Sequence, residues 1–289
     1  MKSSSEQLKQ PQHNCLISVA GLNTLVSSNN QDLILALQQR YSAYLCQGEF
    51  LFEVNVDYVG QKRTSSLLDT DTQFEDGICY FRAPGFEGFV DPKGGEGELV
   101  LSSKRPLDEV DYYLRVAYAM LSFDSGGLMF HAAGLVRNGK AHLFFGHSGA
   151  GKTTIARVSK DVLVLNDDLL ILLPFTSIDD QSTKWIAYAT PFWNPTQVAP
   201  TNQFAPVIGL YRLVQDREVY LELMSAGQSL AELVSNIPVI PDDLSRGDEL
   251  LKRCAMLSED IPVYCLHFLP DSSFWEAIDA ASEPDKVDS

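Results

Sequence analysis

The chain has 289 residues, 45% of them hydrophobic, and its 38 acidic against 22 basic side chains give a formal net charge of -16. That length and apolar content suffice for one large core or two ordinary ones, which excludes a disordered chain. The carboxylate excess would repel a phosphate backbone or an anionic bilayer over most of the surface, so nucleic acid and membrane are excluded as partners.

Residues 1–13 read as a polar, glutamine-rich, disordered leader without the apolar stretch of a signal peptide, and no later run is apolar for long enough to span a bilayer. Next, NCLISVAGLNTLVS reads as two paired strands, and DLILALQQRYSAYL spaces Leu33, Leu37, Tyr41 and Tyr44 along one helical face. In FLFEVNVDY, Phe50, Phe52, Val54, Val56 and Tyr58 alternate with more polar residues, the period of a half-buried strand. GICYFRAPGFEGFVDPKGGEGELVL offers three more strands between Gly and Pro turns. A helix is expected from Pro106, with Leu107, Val110, Leu114, Ala117 and Leu121 on one face, ending at Gly126 and Gly127. These elements define a strand-rich α+β domain over residues 14–123, suited to recognising an acceptor or partner.

A hairpin opens the second domain, expected over 124–280. LMFHAAGLV and AHLFF flank Asn138-Gly139, two residues that accept positive φ. The hairpin delivers Phe145 into Gly146-His147-Ser148-Gly149-Ala150-Gly151-Lys152-Thr153, which fits GxxxxGK[ST] with a strand before it and a helix after it. Glycines let successive backbone N–H groups turn inward around phosphate oxygens, Lys152 can bridge the β- and γ-phosphates, and Thr153 is placed to bind Mg²⁺. Thr154 completes a nucleotide-binding set with Gly146, Ser148, Gly149, Ala150, Gly151, Lys152 and Thr153. The bland alternative is a glycine turn closing an ordinary strand-to-helix connection.

Downstream, VLVLNDDLLILL is a buried strand that stops being apolar at Asn166-Asp167-Asp168, where a carboxylate can meet the metal on a bound nucleotide. Two adjacent acids divide the labour: Asp168 is assigned to Mg²⁺, and Asp167 to taking the proton of an attacking hydroxyl. The alternative is an Asx turn with solvated carboxylates. Strands at KWIAYAT, PVIGLYRLV and VYLELM, helices at AGQSLAELVSN and DDLSRGDELLKRCAML, and a last strand at VYCLHFL follow, before a disordered tail over 281–289. Without strict βαβ alternation, a mixed α/β fold is expected.

The order of a histidine strand, FHAAG, then FFGHSGAGKTT, then NDD resembles the kinase core of HPr kinase/phosphorylase, whose nucleotide site also resembles that of ATP-dependent phosphoenolpyruvate carboxykinase. The resemblance is carried by residues 128–173. It implies a phosphoenolpyruvate-carboxykinase-like P-loop kinase core beside the smaller strand-rich domain. It also places His131 near the transferred phosphate or its metal, Lys152 and Thr153 as the loop lysine and metal-binding hydroxyl, and Asp167 and Asp168 as base and metal carboxylates. His131 by itself reads as a core histidine on an apolar strand. The chain departs from HPr kinase in lacking its glycine-arginine-asparagine signature and basic C-terminal segment, and from the carboxykinase in lacking a basic site for a dicarboxylic acid.

The expected activity is therefore an ATP-dependent kinase, using Mg²⁺, that moves the γ-phosphoryl to a hydroxyl, serine in a peptide, a protein or a small molecule. The alternative is a non-catalytic module that senses nucleotide and binds a partner peptide. Arg137, Lys140, Arg157 and Arg212 are candidates for steadying the transferred phosphoryl. Thr190-Pro191-Phe192-Trp193 offers a cleft wall or, more simply, core packing. Cys15, Cys46, Cys79, Cys254 and Cys265 form no CxxC pair and read as reduced thiols of a cytoplasmic protein. Oligomeric state is left open.

Overall fold

The computed structural model describes residues 12–63, 70–176, 183–193 and 201–282. The chain divides into two compact units, Met1–Leu114 and Arg115–Ser289. Each carries a mixed sheet with helices, so the fold is mixed α/β.

In the first unit, β1 (His13–Val19) and β2 (Leu22–Ser28) form the expected hairpin, turning on Ala20 and Gly21 at φ 54° and 78°. α1 (Gln31–Arg40) starts at Asn30, whose side chain accepts a hydrogen bond from the Leu33 amide at 3.0 Å. Leu33, Leu37, Tyr41 and Tyr44 are all buried, although Tyr44 falls in a separate 3-10 turn, Ser42–Tyr44. β3 (Phe52–Arg63), β4 (Asp71–Glu75), β5 (Ile78–Ala83), β6 (Phe86–Asp91) and β7 (Glu96–Ser103) complete a sheet of order β1-β2-β3-β7-β6-β5-β4. Phe52, Val54 and Val56 of β3 point into the core as their alternation requires; Phe50 precedes the strand and is exposed.

α2 (Pro106–Asp124) runs across the division of the units, which falls between Leu114 and Arg115 rather than after residue 123. Its apolar face continues through the division, with Val110, Leu114, Ala117 and Leu121 all buried, so periodicity alone gives no sign of the change. Within the first unit, Asp111 accepts from the Arg40 Nε at 2.9 Å and the Tyr41 hydroxyl at 2.6 Å, and Tyr113 donates to the Phe89 carbonyl at 2.8 Å.

In the second unit, β8 (Leu128–Arg137) and β9 (Lys140–Phe145) turn on Asn138 and Gly139 at φ 53° and 73°. α3 (Lys152–Val158), β10 (Leu163–Asn166), β11 (Leu169–Thr176), β12 (Thr183–Ala189) and β13 (Phe204–Gln215) follow. β8 pairs with β11, β11 with β12, β12 with β13, β13 with β9 and β9 with β8, a closed circuit of five strands. β14 (Tyr220–Leu223) and β15 (Val263–Phe268) extend the sheet outward from β13.

α4 (Ala226–Ser235), α5 (Gly247–Asp260) and α6 (Phe274–Ser282) complete the unit. The helix expected from Asp242 starts only at Gly247, because Asp243 accepts from the Ser245 amide and pairs with Arg246, winding the approach into 3-10 turns. Phe274 and Trp275 of α6 pack edge-on against Phe144 of β9, and full burial of such a ring stabilises by roughly 1.5–3 kcal/mol. Of the expected disordered ends, 1–11 and 283–289 lie outside the described residues; His13 already belongs to β1, and α6 runs on to Ser282. Among the described residues, no helix is long and apolar enough to cross a membrane.

Candidate active site

β8 is the spine of the site. β10 and β11 lie antiparallel along one edge of it, with a register shift between Val164 and Asn166 and a common register from there on: Asn166 pairs with Gly134 and Leu169 with His131, so Asp167 and Asp168 fall opposite Ala133 and Ala132. The apolar run therefore does not end at the aspartates. They interrupt one long strand, which resumes as β11. On the other edge, Ala132 pairs with Phe145, the last residue before the glycine loop. The acidic interruption and the loop thus leave the sheet at the same level.

Asn166, wholly buried, shapes the interruption. Its Oδ1 accepts from the Asp168 amide at 2.7 Å and the Leu169 amide at 3.3 Å. Its Nδ2 donates to the Thr190 carbonyl at 2.9 Å and the Phe192 carbonyl at 3.1 Å. Thr190 in turn donates from its hydroxyl to the Leu169 carbonyl at 2.7 Å. The segment after β12 is thereby fastened to the aspartate turn, and Phe192 is wholly buried, the simpler of the two uses expected of it.

Among the described residues, two side chains pair with Asp168: His131 Nε2 lies 3.1 Å from one carboxylate oxygen and Arg115 NH1 3.1 Å from the other. Burial works to raise its pKa, but His131 and Arg115 outweigh it and hold the carboxyl below the ordinary aspartate range. Asp167 is 1% exposed. His131, which the resemblance placed near the transferred phosphate or its metal, lies beside Asp168. Arg115 lies far away in sequence and was not anticipated; its guanidinium stacks over the Phe192 ring, 5.5 Å from the centroid.

In the loop, Gly146, Gly149 and Gly151 take φ of 144°, 81° and 118°, backbone that side-chain-bearing residues rarely adopt. A Cβ at Gly151 would also stand 2.5 Å from the Phe268 ring, whereas nothing crowds Gly149. No side chain among the described residues caps α3, whose amino end opens on Gly151. Lys152, 8% exposed, donates to the Gly146 carbonyl at 2.8 Å. Burial pulls its pKa below the ordinary lysine value, opposed by the charges of Asp168 and, less, Asp167. Loop and acids therefore act on one another electrostatically.

Residues outside the motif hold the loop. Asn236, at the carboxyl end of α4, accepts from the Gly146 amide at 3.3 Å through its side chain and from the His131 amide at 2.8 Å through its carbonyl. Gln215 donates to the Gly149 carbonyl at 2.9 Å. Thr153 and Thr154 are half-buried in the first turn of α3, and Ser148 is exposed on the loop beside Ala150, which is buried. His147 is exposed, its Nδ1 2.7 Å from the Ser148 carbonyl.

The four cations singled out from sequence are engaged elsewhere or stand at the surface. Arg137 pairs with Asp279 at 2.7 Å, Arg212 with Glu232 at 3.2 Å, Lys140 is exposed at the β8–β9 turn, and Arg157 is exposed in the last turn of α3. Arg115 is the guanidinium that meets the acids. Comparison of the chain with protein-family models and with curated protein sequences finds no match.

Proposed function

We propose that the chain is an ATP-dependent kinase of the HPr-kinase-like kind, transferring the γ-phosphoryl of MgATP to a hydroxyl of a peptide, protein or small molecule. The observation that carries the reading is the convergence, at one level of the sheet, of the glycine loop with Lys152 and the strand interruption with Asp167 and Asp168. The same arrangement supports, as part of the proposal, a phosphoenolpyruvate-carboxykinase-like core for residues 115–282. The first unit is assigned to acceptor or partner recognition, and five free thiols fit the reducing cytoplasm where ATP is available.

The residues fit a polyphosphate. Left-handed glycines give the loop the backbone conformation that phosphate-binding nests require, and the Lys152 amine, resting on a loop carbonyl, supplies a positive charge for a phosphate oxygen. Thr153 and Asp168 are the residues that would hold Mg²⁺, which supplies neutralisation of phosphate charge. Asp168 is the less buried of the two acids and is therefore assigned to the metal. Asp167, shielded from bulk water, is assigned the proton of the attacking hydroxyl. Arg115 and His131 hold Asp168 ionised and oriented.

The test is calorimetric binding of MgATP to parent and Lys152→Ala protein, with transfer of labelled γ-phosphate in host extract. The variant is expected to fold and to lose nucleotide binding. Unchanged affinity and transfer would remove the loop from the account.

A further inference from the structure

We propose that Cys265, His267 and Glu222 form a zinc site with a fourth coordination position open to water, on the outermost strand pair of the second unit.

Strand geometry assembles the three ligands. Cys265 and His267 are two residues apart on β15, so they share a face, and the antiparallel register sets Glu222 of β14 opposite Cys265 and Tyr220 opposite His267. The Cys265 sulfur lies 3.6 Å from His267 Nε2, and Nε2 lies 3.5 Å from a Glu222 carboxylate oxygen. All three ligand atoms lie within 4.8 Å of one another. Around tetrahedral zinc, bonds of about 2.3 Å to sulfur and about 2.1 Å to nitrogen and oxygen put sulfur and nitrogen about 3.6 Å apart and nitrogen and oxygen about 3.4 Å apart. The observed separations match those two edges. A direct hydrogen bond from Nε2 to the carboxylate would instead be about 2.7–3.2 Å long.

An outer partner sets the histidine for this task. His267 Nδ1 lies 2.7 Å from an Asp216 oxygen. A carboxylate can only accept, so Nδ1 is the atom that donates to Asp216. Nε2 faces Cys265 and Glu222 and is the atom that would ligate zinc, the carboxylate–histidine arrangement that orients zinc ligands. The Tyr220 ring stacks on the imidazole, centroids 4.1 Å apart at 9°, and fixes its plane.

Ligand chemistry selects the ion. A thiolate with an imidazole suits zinc, not the oxygen-seeking Mg²⁺ assigned to the loop. The Glu222 side chain is 64% exposed, which leaves water access to the fourth position. The neighbours of the site reach the loop: Gln215, beside Asp216, donates to the Gly149 carbonyl, and Phe268, beside His267, lies under Gly151.

The test uses the full chain freed of metal and titrated with Co²⁺ as a spectroscopic stand-in for Zn²⁺. One equivalent is expected to bind with a thiolate-to-cobalt charge-transfer band and tetrahedral d–d bands, all displaced by Zn²⁺. Cys265→Ser should abolish the charge-transfer band, whereas Cys46→Ser, changing another partly exposed thiol, should leave it. Asp216→Asn should weaken binding by about 10- to 100-fold. Should Cys265→Ser fail to fold, His267→Gln and Glu222→Gln carry the test, each expected to weaken binding at least tenfold. A missing thiolate band in the parent, a band that survives Cys265→Ser, or unchanged affinity in both His267→Gln and Glu222→Gln would overturn the site.

Discussion

Asn166 makes five hydrogen bonds from one buried side chain, and the position of both candidate acids follows from them. Truncation would leave the Asp168 amide and the Thr190 and Phe192 carbonyls without their partner, at a cost of about 1–3 kcal/mol for each buried group. Asn166→Ala is therefore expected to lower stability by about 3 kcal/mol or more, read by urea unfolding. A loss under about 0.5 kcal/mol, the size of an ordinary surface change, would show that the turn holds itself. At this scale the loop was legible in sequence because its residues are contiguous and each meets a local backbone demand. Arg115 was not, since it meets Asp168 across 53 positions of sequence and sits on a helix whose pattern describes only its apolar face. Asn236 escaped for the same reason, 90 positions from the Gly146 it supports.

β9 carries a titration of its own. His142, 5% exposed, stacks on Tyr211 and meets Trp275 edge-on. Burial, with help from Arg137, pushes its pKa down from 6.5 to about 4. Because the folded value lies below the unfolded one, the unfolded chain takes up the proton first as pH falls. The contribution is whole above 6.5 and is lost as pH drops toward 4. Between about pH 7 and pH 5 this group alone should remove about 2 kcal/mol, and His142→Gln should cancel that part of the pH dependence in urea unfolding. An identical slope in parent and variant would contradict it. Hairpins and alternating strands were legible here because Asn138-Gly139 and β3 obey local rules. β4 was not: its side chains are exposed or half-buried at an edge, so no apolar alternation announces it. Nor was the late start of α5, which the Asp243 side chain decides.

Across the whole molecule, the mixed α/β class and a two-part organisation were readable from the spacing of turns and strands. The place of division was not, because α2 keeps one apolar face through both units. The closed strand circuit was hidden too, since the parallel pairing of β9 with β13 joins residues far apart in sequence. β8, paired with β9 on one edge and with β10 and β11 on the other, brings the loop and the acids out together, and the account stands or falls on whether they perform chemistry as well as binding. Asp167→Asn preserves size and one acceptor oxygen but cannot take a proton near neutral pH. MgATP affinity and transfer of labelled γ-phosphate should be measured in parent, Asp167→Asn and Asp168→Asn proteins. The account predicts that Asp167→Asn keeps MgATP affinity while transfer falls by about 10²- to 10⁴-fold, and that Asp168→Asn loses Mg²⁺-dependent binding as well. Parental binding with parental transfer in both variants would contradict it.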